Sequence, residues 1–268
     1  MEYIKGDGFK LYNTSVTLGK FDGIHLGHKE LIKVVTADKK LKSVFFTFDL
    51  NPLNLFSEKE IKLINTPDER NLILGKFGID YLIDFPFTPE TADTRAEDFI
   101  KEVIYEKLGA EKVVVGSDFR FGKDREGDVS LLDKMKVKYN YSLSVIEKKK
   151  MDCETVSSTG IRNYIKEGNI RKANRFLGRE YFIAGDARVL KTSGSGTVME
   201  QKPERIKLLP ADGSYVSETE IDGEIYEGIT FIKRTDKEIT KVETVISGFS
   251  GKTEECYIKV NLLDSCSE

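Results

Sequence analysis

The sequence predicts a parallel α/β sheet with helices on both faces, followed by a small antiparallel β sandwich or barrel. Two observations carry this reading. Up to Gly178, short apolar runs alternate with segments whose apolar residues recur at helical spacing. Beyond Gly178 the helical period disappears, and short strand-like segments succeed one another between turn signals. At 268 residues the chain suits one large domain or two ordinary ones. The change of texture puts the boundary near residues 179–186, giving domains of 1–184 and 185–268.

Val16-Thr17-Leu18 opens as a strand, and residues 26–39 then carry apolar side chains at helical spacing. Ser43-Val44-Phe45-Phe46-Thr47-Phe48 is nearly all apolar, as a strand covered on both faces should be. It ends in a loop at Asp49-Leu50-Asn51-Pro52. Thr66-Pro67-Asp68-Glu69 is a helix start, with Thr as N-cap, Pro at the first helical position and Glu closing a capping box. That helix should reach Phe77 and stop at Gly78. Tyr81–Phe85 reads as a strand, and Thr94-Arg95-Ala96-Glu97 as a second capping box opening a helix through Leu108. Lys112–Gly116 is a buried strand, residues 129–139 are helical, and Tyr141–Ile146 alternates like a strand. Ser157-Ser158-Thr159 caps a helix carrying Ile161, Arg162, Tyr164 and Ile165, and a second helix runs from Ile170 to Leu177. In the C-terminal part the strand candidates are 181–183, 205–209, 215–216, 225–232, 242–246 and 257–263, with Ser193–Gly196 read as a flexible loop.

Composition narrows the class. Lys and Arg total 42 against 45 Asp and Glu, a net charge of −3, so no basic field calls for nucleic acid. The three cysteines lack metal spacing and read as ordinary thiols. No stretch approaches the roughly 20 apolar residues of a membrane span, and no signal peptide follows Met1. The expected setting is cytoplasmic, with no membrane partner.

The chemistry concentrates in Gly19-Lys20-Phe21-Asp22-Gly23-Ile24-His25-Leu26-Gly27-His28. Both histidines of the chain fall here, three positions apart, where a strand runs through a glycine turn into a helix. Free N–H groups and the helix dipole at such a junction favour an anion. Imidazoles add donors for phosphate, particularly when protonated. Two further polar clusters stand at expected strand ends, where open α/β sheets bind ligands. One is the Asp118-Phe119-Arg120-Phe121-Gly122 loop. The other is Ser157-Ser158-Thr159 with Arg162 one turn on, a second phosphate-grade site.

The three stretches, taken in order with Leu177-Gly178-Arg179-Glu180-Tyr181-Phe182-Ile183-Ala184-Gly185, resemble the bacterial bifunctional riboflavin kinase/FAD synthetase family. The resemblance covers residues 15 to about 185. It implies a Rossmann-like nucleotidyltransferase sheet followed by a β-barrel, and an FMN adenylyltransferase with ATP and FMN as partners. His25, His28 and Arg162 would be catalytic. Gly19, Phe21, Asp22, Gly23, Gly27, Ser157, Ser158 and Thr159 would bind nucleotide, with Ser158, Thr159 and Arg162 on the leaving pyrophosphate. Asn51, Pro52, Asp118, Phe119 and Phe121 would face the flavin. Mg²⁺ would come with ATP, held by phosphate oxygens and water, with no resident metal site.

Two departures qualify the resemblance. The family's Phe-x-Pro-His-Pro reads Phe48-Asp49-Leu50-Asn51-Pro52 here, so a residue that cannot carry charge replaces a histidine. The kinase signature Gly-x-Pro-Thr-Ala-Asn is missing from Ser193–Gln201, so the barrel is expected to persist without riboflavin kinase activity. The competing readings are a related nucleotidyltransferase with another phosphate acceptor and a flavin- or nucleotide-binding regulator. The sequence leaves oligomeric state open.

Overall fold

The computed structural model describes residues 1–49, 61–193, 196–234, 240–249 and 254–266. Contacts divide the chain into two compact units, Met1–Ile61 with Asn71–Thr155, and Lys62–Arg70 with Val156–Glu268. By contacts, the two helices before Gly178 group with the strands after it. No helix among the described residues is long and apolar enough to cross a membrane.

The first unit is built on six strands: β1 (Glu2–Lys5), β2 (Thr14–Leu18), β3 (Lys42–Phe48), β4 (Tyr81–Phe85), β5 (Ala110–Gly116) and β6 (Ser142–Ile146). They lie in the order β1-β4-β3-β2-β5-β6, and every pairing is parallel. The expected parallel sheet is therefore present. All five residues of β2 are buried, as a central strand requires. Val16 and Leu18 share one face with Val44, Phe46, Val113 and Val115, and that face packs on Phe99, Ile100, Val103 and Ile104. Because the strands are parallel, the loops after β2, β3 and β5 all leave one end of the sheet. Strand β3 lies on one side of β2 and β5 on the other, so a crevice at the β2 end is the position where such sheets hold ligands.

Helix α1 (Leu26–Val35) stops sooner than its apolar spacing suggests. Thr36 Oγ1 donates back to the Ile32 carbonyl at 2.8 Å, and Asp38 Oδ1 takes the Lys40 N–H at 3.0 Å, so local side-chain bonds draw the backbone out of the helix. Helix α2 (Pro67–Leu74) continues as a 3₁₀ turn through Phe77 and ends at Gly78 with φ 68°, as expected. The capping box at Thr94 does not form. A short helix α3 (Pro89–Ala92) takes one at Thr88 instead, and α4 (Ala96–Asp98) starts after Arg95, running on as a π-helix, Phe99–Lys107. The Ala96 N–H goes to Glu126 Oε1 at 2.9 Å, a partner thirty residues away that no local pattern reveals. Helix α5 (Val129–Met135) and a two-stranded hairpin, β7 (Lys150–Met151) with β8 (Glu154–Thr155), complete this unit.

In the second unit, α6 (Ser158–Lys166) and α7 (Ile170–Leu177) precede six strands: β9 (Tyr181–Ser193), β10 (Gly196–Gln201), β11 (Gly213–Ile221), β12 (Glu224–Arg234), β13 (Thr240–Ile246) and β14 (Glu255–Ser265). All pairings are antiparallel and the strands close into a barrel in the order β10-β13-β12-β11-β14-β9. The expected barrel is thus realised, with two local changes. Gly196–Gln201 is a strand, its alternation of buried Thr197, Met199 and Gln201 with less buried Val198 and Glu200 being the sheet period. The strand anticipated at 205–209 reduces to a single bridge between Lys207 and Leu63. Several interior positions are hydroxylic: Thr230 bonds Ser217 at 2.9 Å and Thr244 at 3.1 Å.

That bridge sits beside a buried ion pair. Lys207 Nζ donates to Glu69 Oε2 at 2.5 Å and to the Ile64 and Phe182 carbonyls, each at 2.8 Å. Glu69 in turn accepts from Ala184 N–H at 3.1 Å, Thr66 N–H at 3.1 Å and Asn65 Nδ2 at 3.2 Å. Both side chains are 1% exposed. Removing one partner strands the other charge away from water. Lys207→Met should therefore lower stability by about 3–5 kcal/mol, read from the urea midpoint of unfolding. A loss below about 1 kcal/mol would show that the pair is dispensable.

Candidate active site

At the end of β2 the chain makes a turn that ordinary residues avoid. Phe21, Gly23 and Ile24 all have positive φ, at 46°, 92° and 39°. Ile24 is a fully buried β-branched residue in that region, which costs of order 1–3 kcal/mol and persists only where the surroundings impose it. The imposing contacts are visible. Phe21 lies on Phe45 with ring centroids 3.9 Å apart, Gly19 N–H donates to the Phe46 carbonyl at 3.2 Å, and Thr47 Oγ1 donates to the Lys20 carbonyl at 3.3 Å. The turn is clamped to β3 on one side.

The clamp delivers His25 as the N-cap of α1 and His28 in its first turn. Their rings stack at 3.6 Å, 15° from parallel, with the Phe21 ring edge-on to His28 at 5.2 Å. His25 Nδ1 accepts the His28 N–H at 3.3 Å, so its proton belongs on Nε2 and that nitrogen is a donor. The Nδ1 of His28 is buried and has no hydrogen-bond partner. A buried polar atom left open beside a helix N-terminus suits a site completed by a ligand. Gly19 and Gly27 allow the packing: a Cβ at Gly19 would lie 3.0 Å from the Phe21 ring, and one at Gly27 would lie 3.1 Å from His25 Cε1.

Burial decides the charge of this pair. It lowers the His25 pKa to about 4. His28 is driven well below the ordinary histidine value, first by burial and then by neighbouring His25. The imidazoles of the free site are neutral at pH 7, so the protonated donors anticipated from sequence would require an anion to draw the proton in. Asp22, the carboxylate of the turn, is also buried.

The loop after β5 leaves the same end of the sheet. Asp118 is exposed and paired with Lys148 at 2.8 Å. Phe119 stacks on Phe121 at 5.4 Å, and Phe121 is buried in the core against Phe99. Gly122, with φ 73°, sits where a Cβ would be 2.7 Å from the Ala96 backbone. Asn51 and Pro52 lie outside the described residues. Sequence reasoning passed over Lys148 and Lys149. Lys149 reaches Glu30 of α1 at 3.5 Å, and its Cβ stands 4.0 Å from where a Gly27 Cβ would be. The lysine run just past β6 was the available signal.

The second phosphate-grade cluster belongs to the other unit. Ser157 is the N-cap of α6 and accepts the Gly160 N–H at 3.2 Å, placing Ser158 and Thr159 in the first turn and Arg162 one turn further on. Ser158 and Arg162 are partly buried and Thr159 is exposed.

Comparison with known proteins gives a consistent pattern. Residues 10–160 match the model of the FAD synthetase family. A FAD synthetase of Listeria monocytogenes is 30% identical over 210 residues, covering 77% of this chain and 81% of that protein. A bifunctional riboflavin kinase/FMN adenylyltransferase of Buchnera aphidicola is 32% identical over 181 residues, 65% of this chain but only 57% of the relative. Among solved structures, one titled a macrolide-efflux protein of Streptococcus pneumoniae shares the fold with a TM-score of 0.86 at 24% identity, covering 99% of this chain and 91% of that one. With the family model spanning more than half its length, from before β2 into α6, this chain belongs to the FAD synthetase family.

Proposed function

We infer that the chain is an FMN adenylyltransferase, with residues 1–184 as the adenylyltransferase domain and 185–268 as the barrel domain. A phosphate oxygen of FMN attacks the α-phosphorus of ATP. A new P–O–P linkage forms, the bond from the α-phosphorus to the β-bridging oxygen breaks, and pyrophosphate leaves with those electrons. The observation that carries the reading is the stacked His25–His28 pair at the N-terminus of α1, set by a strained turn at the end of the central strand.

Such a transfer needs no covalent nucleophile. It needs positioned reactants and neutralisation of charge on non-bridging and leaving oxygens. His25, donating from Nε2, and His28 contact the ATP phosphates. Gly19, Phe21, Asp22, Gly23 and Gly27 shape the turn so that its backbone approaches them closely. Ser157, Ser158, Thr159 and Arg162 hold the departing pyrophosphate, and Asn51, Pro52, Asp118, Phe119 and Phe121 form the flavin side. The turn's donors are imidazoles and N–H groups, with Asp22 its one carboxylate, which suits a nucleotide that brings its own Mg²⁺ on phosphate oxygens and water. That ion would supply further charge neutralisation.

We also propose that the barrel has no riboflavin kinase activity. Ser193–Gln201 lacks the kinase signature, while β10 still pairs with β9 and β13 as a barrel strand.

Incubation of the chain with FMN and α-³²P-labelled ATP should place label in FAD, whereas riboflavin with ATP and Mg²⁺ should yield no FMN. Tight FMN binding without turnover would overturn the first statement, and FMN formation the second. His28→Ala should slow adenylyl transfer by about 10²–10³-fold with an unchanged circular dichroism spectrum. A near-normal rate would remove His28 from the mechanism.

The depressed histidine pKa values also predict proton uptake. Bound triphosphate favours imidazolium and raises the His25 pKa from about 4, so between pH 5 and 6 ATP binding should take up protons and strengthen as pH falls. Calorimetry in two buffers of different ionisation enthalpy measures this directly. Proton release, or none exchanged, would place the phosphates elsewhere.

A further inference from the structure

Beside the histidine pair stands a lysine from a distant part of the chain. Lys149 lies between β6 and β7, and its stem runs along the first turn of α1. Its Cβ is 4.0 Å from the place a Gly27 Cβ would take, and that same place is 3.1 Å from His25 Cε1. The Lys149 ammonium lies 3.5 Å from Glu30 Oε1, three residues on from Gly27 and so on the same helix face. Gly27 therefore brings the His25 ring and the lysine stem to one point of the helix start.

Distances separate Lys149 from its neighbour. Lys148 holds Asp118 at 2.8 Å, a direct charge-assisted bond. Lys149 and Glu30 are further apart, and their side chains are 45% and 42% exposed. A pair that loose between solvated groups is worth little, so an anion of higher charge displaces the carboxylate. A polyphosphate at the N-terminus of α1 is such an anion, and an ammonium on a flexible stem can turn its donors towards it. The helix start already has the marks of an anion site in its free N–H groups and the open, buried Nδ1 of His28. What it lacks is positive charge, since burial keeps both imidazoles neutral before a ligand arrives. Lys149 is placed to supply it.

We propose that Lys149 is held by Glu30 in the free enzyme and passes to phosphate oxygens of ATP when the nucleotide binds, so that Glu30 and ATP compete for one ammonium. The proposal rests on the adenylyl-transfer reading and adds to it a cation that the histidine pair does not provide.

Titration calorimetry of the full chain with ATP and, separately, with FMN tests it. Lys149→Gln should weaken ATP binding by about tenfold, and Lys149→Arg should keep most of the wild-type affinity. Glu30→Gln should tighten ATP binding about twofold. That gain should vanish in the Lys149→Gln background, because the carboxylate acts through the lysine. A damaged fold cannot imitate a gain that depends on a second residue. FMN affinity should stay at the wild-type value in all four variants. Unchanged ATP affinity in Lys149→Gln, an equal Glu30→Gln gain with and without the lysine, or a loss of FMN affinity in place of ATP affinity would each overturn the proposal. FAD formation by the wild type, assayed alongside, keeps the two readings apart. Its absence would overturn the adenylyl-transfer reading, whereas its presence with ATP affinity unchanged in the variants would overturn the role of Lys149 alone.

Discussion

The second unit depends on a charge pair that water does not reach. Taking a carboxylate and an ammonium out of solvent costs several kcal/mol per ion, which their attraction recovers only if the remaining hydrogen-bonding capacity is also met. Here it is met. Lys207 directs its three N–H bonds to Glu69 and two carbonyls, and its ammonium lies 4.4 Å from the centroid of the Tyr181 ring. Glu69 accepts from two backbone N–H groups and one amide besides the lysine. The same glutamate closes the capping box with Thr66, whose Oγ1 takes the Glu69 N–H at 3.2 Å. One side chain thus starts a helix and anchors Lys62–Arg70 within the barrel's unit.

The histidine turn uses an opposite strategy. Instead of satisfying every polar atom, it leaves His28 Nδ1 open and holds Phe21 and Ile24 in backbone conformations that are unfavourable in isolation. The packing of Phe21 on Phe45 and the hydrogen bonds to β3 sustain that strain. On the proposed reading, donors fixed before a phosphate arrives need not reorganise when charge develops on it, which is usually the largest single contribution to such a transfer. Burial keeps the imidazoles of the free site neutral, so it avoids holding two like charges on rings whose centroids are 3.6 Å apart.

Much of this was legible in the sequence, and the reasons are local. Val16-Thr17-Leu18 before a glycine turn, the Thr66-Pro67-Asp68-Glu69 start and the stop at Gly178 are patterns in which neighbours along the chain decide the outcome, and the structure agrees with them. The Thr94 capping box looked equally good and failed: the Thr94 hydroxyl turns back to the Glu90 carbonyl at 3.3 Å, the helix starts after Arg95, and Glu126 arrives from a distant loop to take the Ala96 N–H. Strand β10 hid behind serine and glycine, and two of its three inward residues, Thr197 and Gln201, are polar where hydropathy alternation expects aliphatic ones. The placement of His25 and His28 together at a helix start was readable from their isolation in a glycine turn. Their neutrality was not, since it comes from tertiary burial, nor was the closeness of Lys149 to Gly27, which depends on the chain returning after β6.

The discontinuity of the second unit bears on how the molecule is made. Glu69 and Lys207 are 138 residues apart, so the glutamate emerges from the ribosome long before its lysine exists. Throughout that interval the carboxylate must remain hydrated, and the Lys62–Arg70 segment around it cannot settle into its final place. The barrel is therefore not a cassette that a single cut in the gene can lift out. A fragment beginning at β9 would carry Lys207 without the acid that neutralises it, and a fragment ending before β9 would carry the acid without the lysine.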